Sequence, residues 1–242
     1  MAKTDRLRTL ADALAKHNVM HLRDAASVLG VSEMTVRRDI AAHPERFTYL
    51  GGYIVSAQDV PNMSGYSLEQ EKDHFAQAKA KASAHAARLI EQNDTIFIDC
   101  GTTLAALARV IPSQLQITAV CYSLNVAEIL RRMPNVRMIL LGGVYVPSSD
   151  SFSGAESLEM LKRMGINKAF ISAGGVDAAR GVTCWNAHEV PLKQAAMSSA
   201  VESHLVVDTS KDGVVKAWRF AQMEDFDSII TEKGQTLRAR GA

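Results

Sequence analysis

The stretch VSEMTVRRDI, residues 31–40, places a serine in front of a short helix that carries two adjacent arginines. Serine is a favoured residue at the N-cap of a helix, so Ser32 predicts where this helix begins. Val36 and Ile40 lie one turn apart, and we expect them to face inward. The candidates for an outward binding surface are Ser32, Glu33, Met34, Thr35, Arg37 and Arg38.

The segments on either side of this helix predict a DNA-binding unit. Residues 21–30, HLRDAASVLG, carry an apolar helical stripe that stops at Gly30, and residues 47–55, FTYLGGYIV, are typical of a β-hairpin. Helix, tight turn and capped helix form a helix-turn-helix, and the hairpin would be its wing. An arginine fork at this place can bond guanine bidentately or clamp a phosphate. The pattern alone also fits an ordinary helical pair with solvated arginines.

Composition excludes several classes of protein. The chain has 242 residues, 47% of them hydrophobic, and a formal net charge of +1, so no strong overall attraction to polyanions is expected. No apolar run approaches the ~18 residues of a membrane span, and the N-terminus lacks the apolar core of a signal peptide. The three cysteines form no CxxC pair and no histidines show metal-ligand spacing, so no disulfide framework, metal or cofactor is expected. A cytoplasmic protein is the simplest interpretation.

The rest of the chain predicts an α/β domain. Residues 57–77 contain Pro, Gly, Ser and charge with little periodicity, and we expect a linker between a DNA-binding domain at 1–56 and a second domain at 78–242. After a helical stretch over 79–92, short apolar runs such as TIFIDC and ITAVCY alternate with helical segments such as TLAALARVI and SLNVAEILRRM. Strand–helix alternation predicts βαβ units and a mostly parallel sheet.

Small and hydroxylic residues follow several of the expected strands. FIDCGTT puts Asp99 at a strand end and Gly101 at the turn, with Thr102 and Thr103 opening the next helix. Such a loop offers backbone N–H groups, hydroxyls and a helix N-terminus to a phosphate, at the sheet edge where ligands bind. Other candidates at strand ends are Ser123, Asn125, Gly142, Gly143, Gly174 and Gly175, and Lys211 is a natural counter-charge. Alternatively, the threonines serve only as a cap and Lys211 is a solvated surface charge.

These motifs together resemble the DeoR family of bacterial repressors. The likeness begins with LGVSEMTVRRDI and LGGYIV and continues in order through FIDCGTT, CYSLN, LLGG, AFISAGGVD and VVDTSK, over nearly the whole chain. The resemblance implies a winged helix-turn-helix, a C-terminal sensor for a phosphorylated sugar and a role in transcriptional repression. Lys79 matches the family's lysine ahead of the sensor, although Ala78 stands where the usual Glu would be.

Tyr122 departs from the family pattern, in which most members carry Asn. Its ring would offer an apolar face to a sugar that lacks one hydroxyl, such as a deoxyribose phosphate. The alternative is a core residue that packs under the following helix. One winged helix-turn-helix reads only a few base pairs, so at least a homodimer on a palindromic operator is expected.

Two other classes of function remain open on the sequence. The second domain also resembles sugar-phosphate isomerases of the ribose-5-phosphate isomerase type, with Glu189 as a conceivable base. Where those enzymes carry the acidic motif Gly-Ala-Asp-Glu, however, this chain has SAGGVD, so Gly174 and Gly175 replace the two acids. Glu189 would then accept hydrogen bonds from sugar hydroxyls or make a structural bond. A scaffold without ligand is harder to reconcile with so many open strand ends.

Overall fold

The computed structural model describes residues 3–17, 19–50, 53–56 and 75–237. The chain divides into two compact units, Met1–Gly65 and Tyr66–Ala242. No helix among the described residues is long and apolar enough to span a membrane.

The first unit is a three-helix bundle with a small antiparallel sheet. Its helices are α1 (Lys3–His17), α2 (Leu22–Leu29) and α3 (Glu33–Ala41), and its strands are β1 (Val19–His21), β2 (Phe47–Leu50) and β3 (Tyr53–Ser56). The strand order is β1-β3-β2. Strand β1 was not expected, because three residues show no recognisable period. The glycine pair expected at the tip of the hairpin lies outside the described residues.

Apolar side chains from all three helices form the core of this unit. Leu10 and Leu14 of α1 are each 1% exposed, and Val36 of α3 is fully buried. Burial of one such side chain stabilises the fold by roughly 1.5–3 kcal/mol. Gly30 ends α2 in the left-handed conformation, φ 63°, which favours glycine and permits the tight turn. The predicted winged helix-turn-helix is therefore confirmed.

The second unit alternates helices and strands. Its helices are α4 (Ala76–Ala87), α5 (Thr102–Arg109), α6 (Leu124–Leu130), α7 (Ala155–Lys162) and α8 (Glu189–Ser199). Its strands are β4 (Thr95–Ile98), β5 (Ile117–Cys121), β6 (Val136–Leu140), β7 (Val144–Val146), β8 (Ser151–Ser153), β9 (Ile166–Ile171), β10 (Gly175–Asp177), β11 (Gly181–Cys184), β12 (Ala200–Val206), β13 (Trp218–Ala221), β14 (Ser228–Thr231) and β15 (Gly234–Leu237).

Seven of these strands form one sheet in the order β15-β14-β12-β9-β4-β5-β6. All neighbours are parallel except β14 and β15. The predicted mostly parallel α/β sheet is confirmed. The carboxyl ends of β4, β5, β9 and β12 therefore lie along one edge, which brings the loops after these strands together.

The structure differs from expectation at several boundaries. The pattern of residues 189–203 predicts a single helix, but α8 ends at Ser199 and Ala200 begins β12, where the sheet register pairs it with Ile166 of β9. Residues 76 and 77, expected in the linker, already belong to α4. The hairpin β7–β8 and the small sheet β10-β11-β13 were not expected, since their short strands lack a clear alternation.

Candidate functional sites

The outward face of α3 carries the residues expected to bind DNA. The Ser32 hydroxyl accepts a hydrogen bond from the Thr35 N–H at 3.2 Å and lies 3.0 Å from the Thr35 hydroxyl, which caps the helix as predicted. Met34 is 66% exposed, and Arg37 and Arg38 are also exposed. Two guanidinium groups and an apolar side chain thus share one short helix whose N-terminus carries a partial positive charge.

A buried ion pair anchors this helix to α1. Asp39 is 6% exposed, and its Oδ2 accepts bonds from Arg6 Nε at 2.9 Å and Nη2 at 2.8 Å. The burial of Asp39 was not expected from the sequence, because an acid that follows two arginines is typical of an exposed position. Two nitrogens of Arg6 thus contact one oxygen of Asp39, and this contact ties the face of α3 opposite Arg37 and Arg38 to α1.

A cleft opens at the carboxyl edge of the parallel sheet. Seven of the expected effector residues line it, namely Lys79, Gly101, Thr102, Thr103, Gly174, Glu189 and Lys211. They come from loops after three different strands and from α4 and α8, so only the folded sheet brings them together. The remaining lining residues are Cys100, Ser172, Ala173, Cys184, Trp185 and Lys193.

One end of the cleft is the loop between β4 and α5. Gly101 has φ 103°, a left-handed value that favours glycine, and it leads directly into the first turn of α5. The first N–H groups of a helix have no intrahelical acceptor and are available to an anion. Asn125 Nδ2 donates to the Gly101 carbonyl at 3.3 Å, and the Ser83 hydroxyl donates to the Thr103 carbonyl at 2.9 Å. These bonds hold the loop in place.

Two lysines stand beside this loop. Lys79 of α4 is only 3% exposed, and Lys211 is half-buried at the end of a short 3-10 turn, Thr209–Lys211. Burial of a lysine costs free energy unless its charge is compensated. Neither side chain is therefore an ordinary solvated surface charge, and both add positive charge to the end of the cleft that offers backbone N–H groups.

A buried hydrogen-bond network forms the floor of the cleft. Asp99 and Lys193 are both fully buried and form an ion pair. Asp99 Oδ2 also accepts from the Ser172 N–H and hydroxyl, each at 2.8 Å, and Oδ1 accepts from the Tyr122 hydroxyl at 2.7 Å. Each oxygen of Asp99 is thus occupied by a protein donor, so Asp99 supports the cleft wall.

Glu189 completes this charged cluster. Its Oε2 lies 3.3 Å from Lys193 Nζ, and its Oε1 accepts a hydrogen bond from Asn186 Nδ2 at 2.6 Å. Burial alone would lower the pKa of Lys193, but Asp99 and Glu189 raise that pKa well above its ordinary value. Lys193 therefore stays an ammonium, which can donate hydrogen bonds but cannot act as a nucleophile.

Tyr122 does not line the cleft. Its side chain is fully buried, stacks on Phe97 with ring centroids 6.0 Å apart, and donates its hydroxyl to Asp99. Burial, helped by Asp99, raises the pKa of the Tyr122 phenol, so it remains a neutral donor. The expected apolar face toward the sugar is therefore directed into the core.

Other expected effector residues also lie away from the cleft lining. Gly143 has φ 134°, and a Cβ there would come within 2.5 Å of the Ser153 carbonyl oxygen. A Cβ on Gly175 would collide with the Val214 carbonyl oxygen. These two glycines are required by close backbone packing. Gly142 is exposed, and its carbonyl accepts from the Ser157 hydroxyl. Ser123 is fully buried, and its hydroxyl has no hydrogen-bond partner within the described part of the chain.

Sequence reasoning missed Lys193, Ser172 and Trp185. Lys193 follows Glu189 by one helical turn, and this i, i+4 spacing was the available signal. Ser172 directly follows β9, as the other ligand-edge residues follow their strands. The three cysteines are free and buried, and burial raises the pKa of each thiol. No cluster of three or more His, Cys, Asp or Glu side chains suited to a metal occurs in the described ranges.

Each of the two units matches a known family of protein domains. Residues 6–58 match the DeoR-like helix-turn-helix domain, and residues 74–233 match the DeoR C terminal sensor domain. The deoxyribose operon repressor of Escherichia coli K12 is 38% identical over 230 residues, which cover 95% of this chain and 90% of the relative.

One solved structure shows a likeness in fold. A chain of the tetrameric eIF2B-beta2-delta2 complex from C. thermophilum aligns with a TM-score of 0.52 and 12% identity, over 96% of this chain and 83% of that one. A ribose 5-phosphate isomerase A from Methanocaldococcus jannaschii aligns with a TM-score of 0.43 and 15% identity, over 57% and 54% of the two chains. Because both family domains match and the E. coli relative aligns almost end to end, the protein belongs to the DeoR family of transcriptional regulators.

Proposed function

We propose that this protein represses transcription by binding a palindromic operator as a homo-oligomer, in the cytoplasm, and that a phosphorylated sugar releases it. In this proposal residues 1–56 bind DNA, residues 78–242 bind the effector, and the effector is deoxyribose 5-phosphate. The genes controlled would serve the catabolism of deoxyribose and deoxyribonucleosides. The observation that carries the proposal is the cleft at the sheet edge, which combines a phosphate-type loop with buried charged groups.

The phosphate end is the loop Gly101–Thr103 with its two lysines. A phosphate ester there would accept bonds from backbone N–H groups and threonine hydroxyls, and Lys79 and Lys211 would balance its charge. A sugar without phosphate would offer no anion to the N–H groups of the Gly101–Thr103 loop or to the two lysines beside it. We therefore expect the phosphorylated form, and not the free sugar, to be the effector.

The sugar end is polar on one side. Ser172, Glu189 and Lys193 line it. The Ser172 hydroxyl and the Glu189 carboxylate can accept hydrogen bonds from sugar hydroxyls, whereas Lys193 directs its three donors to Asp99, Glu189 and the Ser172 carbonyl and holds these groups in place. The 38% identity to a deoxyribose operon repressor supports a deoxypentose as the sugar.

An isomerase is the alternative function. Gly174 and Gly175 contribute no acid to the cleft, and the E. coli relative is named a repressor. Glu189 would have to act as the base while it is bonded to Asn186 and Lys193. We assign the cleft to binding. An assay of pentose phosphate turnover by the purified protein tests this assignment, and steady turnover would contradict it.

A thermal-shift screen of phosphorylated sugars tests the effector. A ligand at about 100 times its dissociation constant stabilises the folded protein by about 2.7 kcal/mol. We expect deoxyribose 5-phosphate to raise the melting temperature and free deoxyribose to leave it unchanged. If no phosphorylated sugar shifts the transition, the cleft does not serve this purpose.

A further inference from the structure

Trp185 is the one aromatic residue among those that line the cleft. It directly follows β11, and its side chain is half-buried. Three small residues line the cleft with it, namely Cys100, Ala173 and Cys184. The cleft lining thus includes apolar side chains in addition to the polar groups of Ser172, Glu189 and Lys193. No role followed for Trp185 from the sequence.

The indole is held in a defined position by the segments around it. Lys216 Nζ lies 3.9 Å from the ring centroid, which is a close cation–π contact. The Lys216 N–H donates to the Thr183 hydroxyl at 2.8 Å, so β11 fixes the segment that carries this lysine. A Cβ on Gly174 would lie 3.0 Å from Trp185 Cδ1 and 2.9 Å from Lys216 Cγ. Gly174 therefore permits the close approach of both side chains.

The polar and the apolar residues of the lining would interact differently with the substituents of a sugar. A hydroxyl beside Ser172 or Glu189 finds a hydrogen-bond partner. Lys216 covers one face of the Trp185 ring. A hydroxyl directed at the opposite face would lose its water without gaining a comparable partner, whereas a CH₂ group would pack well against that face. Since Tyr122 is fully buried, the described cleft lining leaves Trp185 as the aromatic surface that can make this distinction.

We propose that Trp185 is the specificity-determining residue that makes the cleft favour a deoxypentose phosphate over the corresponding pentose phosphate. This inference rests on the proposed sugar-phosphate function. It assigns the selectivity to a residue other than those proposed to bind the phosphate, so mutation can test selectivity and phosphate binding separately.

Isothermal titration of the full-length protein with deoxyribose 5-phosphate and ribose 5-phosphate measures this selectivity. For the wild type we expect the deoxy sugar to bind roughly 10- to 100-fold more tightly, the range in which an apolar pocket rejects an added hydroxyl. Trp185→Ala should bring the two affinities close together. Trp185→Phe retains an aromatic face and should retain the preference. Trp218→Phe changes the other tryptophan, on β13, and is the matched control that should match the wild type.

Tryptophan fluorescence gives a second readout that does not depend on selectivity. The chain contains two tryptophans, so Trp218→Phe leaves Trp185 as the sole emitter. Deoxyribose 5-phosphate should change the emission of Trp218→Phe and leave that of Trp185→Phe unchanged. An unchanged emission of Trp218→Phe with bound ligand would overturn the contact.

The outcomes separate this inference from the proposed function. If Trp185→Ala keeps the full wild-type preference, or if the wild type prefers ribose 5-phosphate, the role of Trp185 is rejected while sugar-phosphate binding stands. If the wild type binds neither ester, the proposed function fails, and the inference fails with it. Circular dichroism of each variant shows whether it is folded.

Discussion

The Tyr122 hydroxyl donates a 2.7 Å hydrogen bond to Asp99 Oδ1, and both side chains are fully buried beneath the cleft. Asp99 in turn forms an ion pair with Lys193, which reaches the cleft. Tyr122 therefore acts on the site through the position of other side chains. If Tyr122 contacted the sugar, its substitution would change both the stability and the sugar selectivity. Because Tyr122 acts indirectly, we expect its substitution to change the stability alone.

Tyr122→Phe should destabilise the protein and leave its sugar selectivity unchanged. The substitution keeps the ring but removes one donor from a buried carboxylate, which costs roughly 1–3 kcal/mol. Urea unfolding measures the loss, and titration with the two pentose phosphates measures the selectivity. A changed ratio of the two affinities at unchanged stability would contradict this and indicate that Tyr122 contacts the sugar.

Lys193→Met should destabilise the protein more strongly than Tyr122→Phe. Removal of one partner from a buried pair leaves an uncompensated charge, and this costs about 3–5 kcal/mol. Lys162 pairs with Glu159 at 2.8 Å, with both side chains exposed, and provides a control, Lys162→Met, in which solvent screens the loss. Equal losses for the two lysines would contradict the special position of Lys193.

Acid should destabilise the protein through His188. Its Nε2 lies 3.2 Å from the Ser149 hydroxyl, and burial lowers the pKa of His188 below its ordinary value. The unfolded chain, with a histidine pKa of about 6.5, then binds the proton more readily than the folded protein. Stability present at neutral pH is therefore lost as the pH falls below about 6.5. His188→Asn should lose less on acidification, as measured by melting temperature at neutral and mildly acidic pH, and an identical loss would exclude His188 as the cause.

Arg38→Ala should weaken operator binding without unfolding the protein, because the side chain is exposed. Loss of a bidentate base contact costs roughly 1–3 kcal/mol. Gel shifts with operator DNA and with unrelated DNA distinguish two roles for the arginine. An effect restricted to the operator indicates a base contact, and an equal loss on both indicates a phosphate contact. Wild-type affinity on both would remove Arg38 from the interface, and Arg132→Ala, an exposed arginine of the second unit, is the control for lost charge.

Much of the fold was predictable from local patterns. Ser32, Val36 and Ile40 predicted the recognition helix because capping and helical period depend on neighbours in the sequence. The apolar runs before Asp99, Tyr122 and Gly174 predicted the parallel strands for the same reason.

The residues of the cleft were predictable where they directly follow a strand end, as Gly101 does, or where a family resemblance marked them, as for Lys79 and Glu189. Lys193 and Asp39 looked like surface charges, and only the packing of distant helices buries them.

Tyr122 follows a strand, but its side chain points to the core. Because side chains alternate between the two faces of a sheet, a shift of one residue would have turned it to the other face. Trp185 lies in a segment without periodicity, so no local pattern marked it.

The most direct test of the central claim is a titration of the operator complex with deoxyribose 5-phosphate, ribose 5-phosphate and free deoxyribose, for the wild type and for Lys211→Ala. Operator DNA is first selected from a random duplex pool with the purified protein. We predict that deoxyribose 5-phosphate releases wild-type protein, that ribose 5-phosphate does so less readily, and that free deoxyribose does not. Lys211→Ala should bind the operator normally but need roughly ten- to a hundredfold more effector, since a charge-assisted bond is worth about 1.5–3 kcal/mol. Equal release by all three sugars, or no release by any, would contradict the account.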